Sequence, residues 1–143
     1  MNVPSINNLI ETILCLAISK EAMFGRIEDV AKDFGVSRVV MEYVVSNESA
    51  RNSKGDFLPC GIGDTHLTTP KGDKHRSRGV VQINEYYNPQ VTDASAFSIT
   101  FSLEFLASKL REGKCSMWTT CRAYMKKESE DSFVTDGGLA RLR

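Results

Sequence analysis

Charge of one sign is absent from this 143-residue chain, because its eighteen basic and eighteen acidic residues cancel. A duplex-binding surface ordinarily carries a basic excess that displaces counterions from phosphates. The balance therefore points away from nucleic acid, while leaving room for a local patch. A long apolar run is absent too. The most apolar stretch, Leu9 to Ile18, contains Glu11 and is too short to span a bilayer. The first residues lack the basic lead and clean apolar core of a secretory signal. Clustered cysteine is also missing. Cys15, Cys60, Cys115 and Cys121 form no CxxC pair, and His66 and His75 are the two histidines. Structural zinc needs clustered ligands, so no metal is expected; no organic cofactor is expected either.

A hydrophobic share of 41% and a charged share of 25% are ordinary for a globular domain, and this length suits one domain with a real core. Apolar residues from Ile6 to Ile18 recur at helical spacing, predicting a helix over Ile6–Met23 that Gly25 stops. Cys15 falls on that pattern and reads as a core residue. Ile27, Val30, Ala31 and Phe34 share one face of a second, short helix, closed by Gly35 as a C-cap. Ser37 caps a third, whose apolar face holds Val40, Met41, Val44 and Val45. From Ala50 to Arg78 the periodicity dissolves into Gly, Lys, Asp, Thr and Ser, a long irregular segment of the kind that usually carries function. A short hairpin is expected around Phe57 to Leu67. Helices return over Phe97–Leu110 and Met117–Met125, and the polar tail from Lys126 is expected to fray. In an oxidising compartment Cys60, Cys115 and Cys121 can include a disulfide, with the pairing open.

The stretch from Arg26 to Ser49 permits two readings. Asp29-Val30-Ala31 followed by Gly35-Val36-Ser37 resembles the helix-turn-helix of the lactose-repressor family, over about a sixth of the chain. That motif sends polar side chains of its second helix into the major groove. Here Arg38 is the one good reader, Glu42 opposes phosphate, and any two helices joined by a tight glycine turn look alike.

The second reading continues past the helix to Glu48-Ser49, to Asn52, and across the loop to Gly79-Val80-Val81-Gln82-Ile83-Asn84. A helix ending in Glu-Ser, followed by a GxxQIN segment, resembles the lysozyme-like lytic transglycosylases and their goose-type lysozyme relatives. YYNPQVTDASAF, LEFLASKLREGKCSMW and TTCR resemble bacterial members of the same superfamily, so the likeness runs from about Ile27 to Arg122. Two features depart from the family. The AYNAG-like element with its tyrosine is replaced by WTTCRAY, and the GLMQ methionine is Val81.

Residue chemistry agrees with the resemblance. Cleaving a glycosidic bond requires a carboxylic acid that keeps its proton near neutral pH, and burial provides that by disfavouring the charged form. Glu48 follows Val44 and Val45 at the end of an apolar helix. The resemblance makes it the acid and then the base. It implies that Ser49, Gly79, Gln82, Asn84 and Trp118 bind substrate, with Tyr86, Tyr87 and Tyr124 as further stacking candidates. Plainer readings stand beside these: a backbone bond for Ser49, a turn for Gly79, a cap for Asn84 and core packing for Trp118. Asp56, Asp64 and Asp73 are the loop carboxylates from which a second, water-positioning group would come, if they are not simply solvated.

The expectation is a mainly α, lysozyme-like single domain with a long irregular or small β-hairpin loop lining a cleft. It comprises an N-terminal helix over 1–25, a catalytic domain over 26–126 and a polar tail over 127–143. The expected partner is the glycan strand of peptidoglycan, cut by a monomer outside the cytoplasm, with no nucleic acid and no stable membrane insertion. The alternatives are a peptidoglycan-binding module that does not cut, and the helix-turn-helix.

Overall fold

The computed structural model describes residues 15–66 and 68–137, with side chains to Ser129. About half of the described residues are helical, and one small antiparallel sheet completes a mainly α, α+β architecture. The helices are α1 (Lys20–Phe34), α2 (Arg38–Glu48), α3 (Asp93–Phe97), α4 (Ile99–Arg111) and α5 (Thr119–Gly137), with a 3-10 turn at Cys115–Met117. Strands β1 (Ile62–Gly63), β2 (Ser77–Arg78) and β3 (Ile83–Asn84) stand in the order β1-β2-β3. No helix among the described residues is long and apolar enough to cross a membrane.

Helices α1 to α4 each start where a hydroxyl satisfies an orphan backbone donor. Ser19 accepts from Ala22 N at 3.2 Å and Ser37 from Val40 N at 3.2 Å. Ser98 closes α3 and opens α4, accepting from Phe101 N at 3.1 Å. Gly35 ends α1 in the left-handed region at φ 67°, receiving the role its sequence position announces.

Gly25 does not end a helix. It lies within α1, with no neighbour near its missing Cβ, so the helix tolerates it at about 1 kcal/mol. The end of the helix expected over Ile6–Met23 and the short helix expected over Ile27–Phe34 are therefore one helix, and the boundary expected at residues 25 and 26 falls inside it. Residues 16–19 are not helical. Ile18 instead forms an isolated antiparallel bridge with Phe57, while the rest of the expected N-terminal helix, 1–14, lies outside the described residues. At the other end α5 continues through Lys126 to Gly137, so the expected end of the helix near Met125 is also revised.

The core joins both parts of the chain. Met23, Ile27 and Ala31 of α1, Met41, Val44 and Val45 of α2, and Leu103, Leu106 and Ala107 of α4 are buried together. Phe57 from the irregular segment, and Val80, Val81 and Ile83 that follow it, close over them. Cys15 is not in this core. It is exposed and bonded to Cys60, at a Cα–Cα distance of 5.5 Å. The second disulfide, Cys115–Cys121, staples the 3-10 turn to the first residues of α5.

The irregular segment folds as two turns of one design hung on a sheet. Asn52 Oδ1 accepts from Lys54 N and Asp56 N at 3.0 and 2.9 Å. Thr69 Oγ1 accepts from Lys71 N and Asp73 N at 3.3 and 3.2 Å. Such side-chain-to-backbone bonds substitute for a ladder. The hairpin expected within 57–67 is not closed there: β1 pairs with β2, Ile62 opposite Arg78 and Gly63 opposite Ser77.

Candidate active site around Glu48

Glu48 is the last residue of α2, half-buried, and its Oε1 accepts a hydrogen bond from Thr120 Oγ1 at 3.1 Å. Burial pushes its carboxyl above the ordinary value, the Thr120 bond opposes this, and the nearby charge of Asp64 adds to it. Two of the three influences therefore favour the protonated acid. Thr120 opens α5, so α2 and α5, which pack together, hold the carboxyl from both sides.

The loop carboxylates separate by position. Asp56 and Asp73 close the two side-chain-capped turns, each paired with the residue that opens its turn. Asp64 follows β1, adopts a left-handed φ of 57°, and accepts from Ser77 Oγ at 2.7 Å. Only Asp64 of the three acts electrostatically on Glu48. A non-glycine residue in this region costs about 1 kcal/mol or more, and such strain concentrates where a side chain must be aimed.

The other candidate residues come from the end of α2 and the turn before β3. Gly79 has φ 84°, and a Cβ there would lie 2.0 Å from Ala96 O, so the close approach it permits is to the end of α3. Ser49 Oγ donates to Val80 O at 2.6 Å, tying the end of α2 to this turn instead of to Glu48. Gln82, at φ 53°, donates through Nε2 to Gly61 O and Gly79 O at 3.2 and 2.9 Å. A Cβ on Gly63 would meet Gln82 Oε1, so glycine is required there for the amide to lie flat against β1.

Gln82, Asn84 and Trp118 line one cleft of about 290 Å³, with Tyr87 and Met117 on its rim. Trp118 is 5% exposed, and its Nε1 donates to Val81 O at 2.7 Å. It is thus a core residue whose edge reaches the cleft. Asn84 accepts the backbone N–H groups of Tyr86 and Tyr87, which is the capping role. Tyr86 and Tyr87 are exposed and meet edge to face, whereas Tyr124 packs against Tyr43 on the helical side.

Several contributors were not singled out by the sequence. Thr120 stands where the family-like pattern offered no tyrosine. Arg78, 2% exposed, donates to Ile83 O, Val91 O and Asp93 Oδ1, anchoring the sheet to the start of α3. Arg76 holds Glu85 through paired contacts of 2.9 and 3.0 Å and also reaches Asp93. The SRG tripeptide before the turn gave no sign that Arg78 would be buried. Among the described residues, no cluster of three metal-ligating side chains occurs. Comparison with protein-family models, curated proteins and solved structures finds no match to this chain.

Proposed function

We propose that the chain has a lysozyme-like fold and cleaves the β-1,4 bond between N-acetylmuramic acid and N-acetylglucosamine in peptidoglycan, with Glu48 as acid and then base. The observation that carries the reading is one half-buried carboxyl at a helix end, raised above its ordinary value by burial and by the charge of Asp64 against the opposing Thr120 bond. A cleft lined by Gln82, Asn84 and Trp118, with Glu48 outside its lining, offers amide and aromatic groups to a sugar. Protonating the leaving oxygen is the task that needs such an acid. Amide side chains that both donate and accept suit sugar hydroxyls and N-acetyl groups. The substrate places the activity outside the cytoplasm, and two disulfides suit such an oxidising setting.

The ionised Glu48 can then take a proton from either of two nucleophiles. The sugar's own 6-hydroxyl closes a 1,6-anhydro ring, giving a lytic transglycosylase. Water gives a lysozyme, and Asp64, whose charge acts on Glu48, is the carboxylate that would orient the attacking water in that case. The helix-turn-helix alternative gains little from α2: its Arg38 lies 3.9 Å from Glu28 and 3.6 Å from Glu42, which offset its charge.

The test is mass spectrometry of soluble products from purified peptidoglycan incubated with wild type and Glu48→Gln. Release by wild type alone, reduced at least a hundredfold in the variant, supports the reading, and the product ends assign the nucleophile. Equal release by both, or none by either, overturns it.

A further inference from the structure

His75 is 6% exposed and takes no part in the reaction proposed above. Its Nδ1 lies 2.8 Å from Asn84 Nδ2. Neighbouring bonds settle which of these atoms donates. Asn84 Oδ1 already accepts from the backbone N–H groups of Tyr86 and Tyr87, at 3.0 and 3.3 Å. The amide is therefore oriented with its NH2 toward the ring, and an NH2 can only donate. His75 Nδ1 must be the acceptor, so the ring is neutral with its proton on Nε2. The second amide hydrogen goes to Ser77 Oγ at 3.2 Å. Ser77, itself buried, spends its own hydroxyl hydrogen on Asp64 Oδ2 at 2.7 Å. One direction of donation thus runs from Asn84 through Ser77 to the carboxylate beside Glu48, with His75 fixing its origin.

We propose that His75 is a positioning residue for Asp64, holding it in place only while the imidazole is neutral, so that the site carries a proton-sensitive latch. A proton on Nδ1 would face the Asn84 NH2, two donors at hydrogen-bond distance. The amide must then turn, giving up the Tyr86 and Tyr87 caps, and its Oδ1 comes to face Ser77 Oγ, where it competes with Asp64 for the hydroxyl hydrogen. The strained backbone of Asp64 is left without the contact that holds its carboxylate.

Other charged groups stand around the ring, and among the described residues none of them is hydrogen-bonded to it. Lys71, Asp73, Lys74, Glu85 and Tyr86 share a groove with it. Glu85 is held by Arg76, and Arg78 is spent on Asp93. Tyr86 and Tyr87 meet the imidazole through their rings, with centroids at 5.5 and 6.2 Å.

The consequence for rate rests on the glycosidase reading; the consequence for hydrogen bonding does not. The test uses the ¹⁵N-labelled full chain as wild type, His75→Asn and His75→Ala. An asparagine at 75 places an acceptor oxygen near the Nδ1 position and does not titrate. In wild type, the Asn84 side-chain amide and Ser77 signals should shift with the same midpoint as the His75 ring. In His75→Asn they should be flat. With peptidoglycan, His75→Asn should keep its rate on the acid side, where wild type falls. His75→Ala should lose roughly tenfold at all pH values, less than the hundredfold that an ångström of misplacement costs. An Asn84 amide that ignores the ring titration overturns the proposal, as does a pH profile of His75→Asn that superimposes on wild type. If wild type releases nothing at any pH, the glycosidase reading fails and the amide titration alone decides the latch. Should His75→Ala fail to fold by circular dichroism, His75→Asn and the titration still carry the test.

Discussion

The helical part of the molecule and the segment from Ala50 to Gln90 are held together by different physics. The helices pack apolar faces: Met23, Ile27, Met41, Val44, Leu103 and Leu106 are fully buried. Apolar burial is non-directional and tolerates small shifts. The irregular segment has two-residue strands and keeps its shape through directional bonds: two side-chain-capped turns, a buried arginine, a disulfide and glycines at forced contacts. The difference explains the division of labour at the site. The helices deliver one carboxyl into a half-buried place, and the directional half fixes Asp64, whose charge acts on that carboxyl, and holds Gln82 and Asn84 on a cleft of their own. A packed surface supplies desolvation, and a bonded loop supplies orientation.

Breaking each half at its own kind of contact should sharpen the contrast. Replacing Cys15 and Cys60 by serine frees a loop with a sequence separation of 45 and should cost about 4 kcal/mol by chain entropy. Leu106→Ala should cost about 3 kcal/mol as a buried cavity. Urea denaturation in the presence of a thiol reductant separates them: reductant should lower wild type and Leu106→Ala, and leave the serine variant sensitive only through Cys115–Cys121. Gly79→Ala sets a methyl 2.0 Å from Ala96 O at φ 84°, and should lower stability by about 2 kcal/mol, read as a fall in Tm.

Smaller effects divide the halves by pH. The hydrogen bond from Arg78 holds Asp93 below the usual carboxylate range, and that from Arg76 does the same to Glu85. Their contribution to stability is present above the ordinary carboxylate values and is lost as pH falls through the lowered ones. Glu48 has the opposite sign. Its raised carboxyl favours the folded state below its ordinary value of 4.5, and this is lost as pH rises through the raised one. Asp93→Asn should cost about 1 kcal/mol at neutral pH and flatten the acid decline of the Tm, whereas Glu48→Gln should raise the Tm on the neutral side. The smallest effect is expected from Thr120→Val, which removes a bond that lowers the Glu48 carboxyl. It should move the alkaline limb of the cleavage profile to higher pH with little change in Tm.

What was legible follows the same division. Gly35 and Ser37 announce their caps, and the spacing of Met41, Val44 and Val45 announces the face that α2 buries, because local bonds and periodicity decide both. The helix end that carries Glu48 was legible for that reason. Gly25 misled because glycine stops a helix only where a left-handed turn is needed, and here none is. The strands gave no signal, since two residues have no period. Asp64 could not be told from Asp56 and Asp73, and Thr120 and His75 drew no notice as site residues, because a hydrogen bond to a residue far along the chain leaves no local pattern. The pairing of Cys15 with Cys60 depends on the same long-range placement.

The most direct test of the two halves meeting at one carboxyl is a ¹³C NMR titration of Glu48 in wild type and Asp64→Asn. A Glu48 midpoint above the ordinary value of 4.5, lowered when Asp64 becomes neutral, is the predicted result. An ordinary midpoint in wild type, or one indifferent to Asp64→Asn, would contradict the account.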